Sequence, residues 1–83
     1  MVVVTQDGMN MLDLTNLKLK ILDGERFAET CSIVADCGDY KVDCGEYKTV
    51  GDCKLVYEKI MDALHLKNPY YIFPKADAKI FNG

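Results

Sequence analysis

Tryptophan is absent, and histidine and arginine occur once each, as His65 and Arg26. A single arginine leaves little for bidentate reading of phosphates or base edges. The formal net charge of −3 removes the basic surface that attracts nucleic acid. No nucleic-acid partner is expected. No apolar run approaches the roughly 20 residues needed to cross a bilayer, so no membrane partner is expected either. Met1-Val2-Val3-Val4-Thr5-Gln6-Asp7 has no basic lead-in. It does not read as a signal peptide, and the expected location is the cytoplasm.

Close cysteine pairs are also missing. Cys31, Cys37, Cys44 and Cys53 are spaced by six, seven and nine residues, which does not suit zinc. Reduced thiols acting as small hydrophobes are expected. There is no Gly-x-Ser-x-Gly elbow, no phosphate-binding glycine loop and no neighbouring Cys–His pair. The chain therefore reads as no enzyme, with no metal and no cofactor. His65, between Leu64 and Leu66, suits the C-terminal dipole of a helix. Asp36, Asp39, Asp43 and Glu46 match no calcium loop and read as a solvated turn and strand face.

What is present is an 83-residue chain, 49% hydrophobic and 28% charged. That composition predicts one globular domain over residues 1–83. Its core is small, and pairing with a second copy would bury more surface.

The pattern predicts an α+β fold: an antiparallel meander of about five strands, one amphipathic helix on one face and a short C-terminal strand. Strands fall within residues 2–45. Val2–Thr5 is β-branched, and Asp7-Gly8 is a hairpin signal. A second strand is expected over Asn10–Leu14. Leu17, Leu19 and Ile21 alternate with Lys18 and Lys20, the leucines and isoleucine inward. A three-residue loop at Asp23-Gly24-Glu25 would set Ile21 against Phe27 and Leu17 against Cys31, with Glu29 facing Leu19 as a defect. A hairpin closing about Cys37-Gly38 would pair Ala35 with Tyr40, Ile33 with Val42 and Cys31 with Cys44.

A helix is expected over 50–66, with Thr49 as N-cap and Asp52 three residues on. Cys53, Val56, Ile60 and Leu64 form its apolar stripe. Asn68-Pro69 ends it. The last strand covers 70–73 and is free to join its own sheet or a second subunit. The tail, 74–83, carries Ile80 and Phe81.

Val3-Val4-Thr5-Gln6-Asp7-Gly8, Gly45-Glu46-Tyr47-Lys48-Thr49 and Tyr70-Tyr71-Ile72-Phe73-Pro74 resemble short proteins of Firmicutes bacteria and their phages. Gly51 and Cys53 depart from the Glu- and Ala-rich helix usual in that group. The resemblance implies a phage or prophage accessory protein of a kind that often counters host defences.

Two function classes follow. In the first, the protein sequesters a nucleotide-derived signalling molecule. Its anion would meet the N–H groups of Val50 and Gly51 at the helix start, with Lys48 and Arg26 supplying charge and Thr49 the cap. Tyr40 and Tyr47 would offer a flat face. The ordinary roles of these residues are cap, solvated lysine and half-buried tyrosines. In the second class the protein inhibits or adapts another protein. Tyr70, Tyr71, Ile72, Phe73, Ile80 and Phe81 then form the contact surface, and they also serve a homodimer or higher homo-oligomer.

Overall fold

A computed structural model describes residues 1–23 and 30–81. In chain order the elements are β1 (Val2–Val4), β2 (Met11–Asp13), β3 (Lys18–Asp23), β4 (Cys31–Asp36), β5 (Lys41–Tyr47), α1 (Val50–His65) and β6 (Tyr70–Ile72). The fold is α+β, as the pattern predicts.

The strands form two three-stranded sheets, ordered β2-β1-β6 and β3-β4-β5, where one meander was expected. Local chemistry explains the division. Asp13 caps a 3-10 turn at Leu14–Asn16, accepting from the Thr15 N–H at 3.0 Å and from its hydroxyl at 2.7 Å. The turn redirects the chain, so β3 does not pair with β2. The free side of β1 is taken by β6, which runs parallel to it and places Val3 beside Tyr71. The last strand therefore joins a sheet of its own chain.

The β1–β2 hairpin pairs Val4 with Met11 and Val3 with Leu12. Its loop turns at Gly8, whose φ of +74° suits glycine. Thr5 is buried there, and its hydroxyl donates to Asp7 at 2.6 Å and accepts from the Asn10 N–H.

Both expected registers in the second sheet need correction. β4 starts at Cys31, and Ile21 faces Ile33 while Leu19 faces Ala35. Cys31 faces Asp23, not Leu17, and Glu29, the expected partner of Leu19, lies outside the described residues. Phe27, the expected partner of Ile21, lies outside the described residues. At the next hairpin Ala35 faces Val42, not Tyr40, because the loop spans Cys37 to Tyr40. The Cys37 N–H donates to Tyr40 O, the Asp36 carboxylate accepts from the Gly38 N–H, and Gly38 sits at φ +91°.

A bulge follows between Ile33 and Val34, with Ile33 opposite Gly45 and Val34 opposite Asp43. Cys44 is the extra residue. Cys31 therefore faces Tyr47, not Cys44. None of the four cysteines is joined in a disulfide. The bulge changes which side of β5 turns inward, so Gly45 and Tyr47 join Cys44 in the core.

Thr49 caps α1, its hydroxyl accepting from the Asp52 N–H at 3.0 Å. Cys53, Val56, Ile60 and Ala63 are buried on its inner side. Leu64, expected in that stripe, is exposed and Ala63 takes its place. The core joins Cys53, Val56 and Ile60 to Val3, Cys31, Ile33, Ala35, Cys44, Tyr47 and Phe73. No helix among the described residues is long and apolar enough to cross a membrane.

Candidate binding surfaces

The helix start is built as expected at its cap. The N–H groups of Val50 and Gly51 have no acceptor within the helix. Lys48 is exposed beside them. Tyr47 is not available as a flat face: it is 1% exposed, its hydroxyl donates to Pro74 O at 2.8 Å, and its ring packs 5.3 Å from Phe81. Burial pushes its pKa up. Tyr40 is exposed at the other end of β5, about 20 Å away along an extended strand. Arg26 lies outside the described residues. Tyr40, Tyr47, Lys48, Thr49, Val50 and Gly51 line none of three surface concavities of the described residues. His65 stands in the last turn of α1 and is exposed.

The segments Val3–Gly8, Gly45–Thr49 and Tyr70–Pro74 meet in space. The Gln6 side-chain amide donates to Glu46 O at 3.0 Å and to Pro74 O at 3.1 Å, and its carbonyl accepts from the Glu46 N–H at 3.1 Å. The Gln6 N–H donates to Cys44 O at 2.7 Å, and the Phe73 N–H to Val4 O at 3.0 Å. Gln6 thus joins the first sheet to the open edge of β5. The motif residues form the junction that holds the two sheets together.

Beside this junction Gln6, Asp7, Asp43, Cys44, Gly45 and Glu46 enclose a small polar recess of about 140 Å³. Burial, then the nearby Glu46 and Asp7 carboxylates, raise the pKa of Asp43. Asp7 is lowered, chiefly by the Thr5 hydroxyl and then by the Met9 N–H. Among the described residues no three of His, Cys, Asp and Glu are grouped to hold a metal ion.

The aromatic strand and tail divide between core and surface. Phe73 is buried, and Tyr71 meets it edge-on at 5.9 Å. Phe81 is half-buried against Tyr47. Tyr70, Ile72 and Ile80 are exposed. Strand alternation puts Val3, Leu12 and Tyr71 on the inner face of the first sheet. Val2, Val4, Met11, Asp13, Tyr70 and Ile72 therefore share its water-facing side. Met11 is 71% exposed, Tyr70 61% and Ile72 59%. Ile72 also enters a cleft of about 460 Å³ shared with Leu66 and Ile80.

The largest of the three concavities, about 690 Å³, lies between β3 and α1. Leu14, Leu17 and Leu19 line one wall, and Tyr57, Ile60, Met61 and Leu64 the other. The sequence held one signal for it: Met61 and Leu64 widen the apolar stripe of α1 beyond what a closed core uses, and both are exposed.

No family model, curated protein or solved structure matches the chain.

Proposed function

We propose that this protein is a non-enzymatic binding protein that acts through protein–protein contact. Its first contact surface is the water-facing side of the β2-β1-β6 sheet, and a second copy of the chain occupies it. One observation carries the reading: Met11, Tyr70 and Ile72 stand exposed on one face, with Val2 and Val4 between them and Asp13 as the one charged residue of the six. Aromatic residues and methionine are enriched in the centres of interfaces, and charged residues are depleted there. A two-fold dimer uses the same patch on both copies, so a self-complementary apolar face suits it.

The resemblance to short phage proteins extends the proposal to a use. The dimer occupies a host defence protein, and the net charge of −3 favours a basic target. Sequestration of a nucleotide at the helix start has less to support it, because Tyr47 is enclosed and Tyr40 stands at the far end of β5.

Sedimentation velocity tests the dimer. The native chain is expected to sediment as a dimer at high concentration, and the double variant Tyr70→Ser, Ile72→Ser as a monomer. Both side chains are exposed, so the circular dichroism of the variant is expected to match. A native chain that stays monomeric overturns the second copy as occupant. A variant that still dimerises moves the interface off this face.

A further inference from the structure

β3 is an edge strand. One side pairs with β4 along all six residues, and among the described residues nothing pairs with the other. In an antiparallel pair every second residue turns its N–H and C=O away from the partner, so the outer side of β3 carries open donors and acceptors.

Two further features stand at this edge. The apolar groove of about 690 Å³ runs between β3 and α1, with Leu19 on the strand wall and Tyr57, Met61 and Leu64 on the helix wall. Among the described residues its lining contains Lys18 and Lys20 and no carboxylate, in a chain with 13 acidic and 10 basic residues. By alternation, Lys18 and Lys20 belong to the face of β3 opposite Leu19. Lys20 is paired with Asp36 at 3.1 Å, and Lys18 makes no ion pair among the described residues.

We infer that this edge is a docking site for an extended segment of a partner protein in which apolar and acidic residues alternate. Such a segment adds a strand to β3. Its side chains of one parity then enter the groove, and those of the other parity lie beside Lys18 and Lys20. Both faces of the added strand find complementary chemistry, which neither a wholly apolar nor a basic strand does. About six residues, roughly 20 Å of extended chain, match the length of β3. Edge lysines discourage indiscriminate strand pairing. Here they also select, because an acidic strand relieves the repulsion that a basic one meets. The inference concerns a different surface from the proposed dimer face and does not depend on it.

The test uses a blocked hexapeptide alternating valine and glutamate, titrated into the full chain and followed by backbone amide resonances. Shifts are expected at residues 18–23 and 57–64. A valine–lysine peptide of equal length is expected to bind about tenfold more weakly. Lys18→Glu is expected to weaken the acidic peptide about fivefold, and Met61→Glu about tenfold, by placing a carboxylate among its apolar contacts. Both residues are exposed, and unchanged circular dichroism would confirm that the variants fold. A peptide N-methylated at alternate residues has lost the ladder donors and is expected not to bind. Repeating the titration on the Tyr70→Ser, Ile72→Ser variant separates this site from the dimer face. The inference is overturned by shifts confined to other residues, by no shifts at all, by equal binding of the N-methylated peptide, or by unchanged binding to Met61→Glu.

Discussion

Two glycines near the same helix start have opposite reasons for being there. A Cβ built on Gly45 would lie 2.8 Å from Tyr47 Oη and 2.9 Å from its ring. That ring cannot withdraw without breaking its bond to Pro74 O and its packing on Phe81. A Cβ on Gly51 would meet only Thr49 Oγ1, at an ordinary 3.6 Å. Space therefore does not require glycine at 51, and its cost to the helix has no steric offset. Gly45→Ala is expected to destabilise the fold by about 1–3 kcal/mol through overpacking. Gly51→Ala is expected to stabilise it by up to about 1 kcal/mol. Urea unfolding of the two variants checks the pair. Equal signs would mean that Tyr47 has room to move or that the glycine at 51 is needed for more than its backbone.

Among the elements, the joint between the sheets is the feature that the chain order hides. Gln6 sits in the β1–β2 loop, yet its side chain makes three hydrogen bonds to the backbone of Glu46 and Pro74. Gln6→Ala is expected to cost about 1–2 kcal/mol, since three partly exposed bonds are replaced by water. The local signature is more specific. The Glu46 amide is expected to exchange its hydrogen faster, while those of Ile33 and Ala35 in the central strand keep their protection. Uniformly faster exchange would show a general loss of stability instead of a loosened joint.

The legible parts of the fold are those set by neighbours in the chain. The Thr49 cap, the apolar side of α1, the inward Leu19 and Ile21 and the turn at Gly8 all follow from local pattern. The illegible parts depend on a single residue or on distant contacts. One extra residue, Cys44, moves Tyr47 from a surface reading to the core. One capped turn after Asp13 splits a meander into two sheets. Strand alternation requires one of Tyr70 and Tyr71 to face outward, and Tyr70 does so with Ile72, whereas the β3 groove needs the helix and strand brought together.

For the whole molecule, stability is expected to fall at both ends of the pH scale, for different reasons. On the acid side the carboxyls of Asp7, Asp13 and Asp36 are all held below their ordinary value by hydrogen bonds, those of Asp7 and Asp13 led by threonine hydroxyls and that of Asp36 by the Gly38 N–H. Their contribution is present above the ordinary carboxylate pKa and is lost as pH drops through the lowered folded values, so it fades below about pH 4. Asp43, raised by burial, acts the other way and gains from protonation, but it is one group against three. On the alkaline side burial raises the Cys44 thiol from 9.0 to about 11. The unfolded chain releases that proton first, so stability is full below pH 9.0 and declines as pH rises toward about 11. Cys44 is 1% exposed and is the bulged residue of β5, so ionising it means moving a charge into the junction between the sheets. Cys44→Ala removes this titration. The variant is expected to be less stable at pH 7, having lost a buried side chain, but to lose less stability than the native chain between about pH 9 and pH 10.5. Urea midpoints across that range, under reducing conditions, measure the difference. Parallel pH profiles for the native chain and the variant would remove Cys44 as the cause and leave the decline to the tyrosines, Tyr47 and Tyr71, whose pKa values burial also raises.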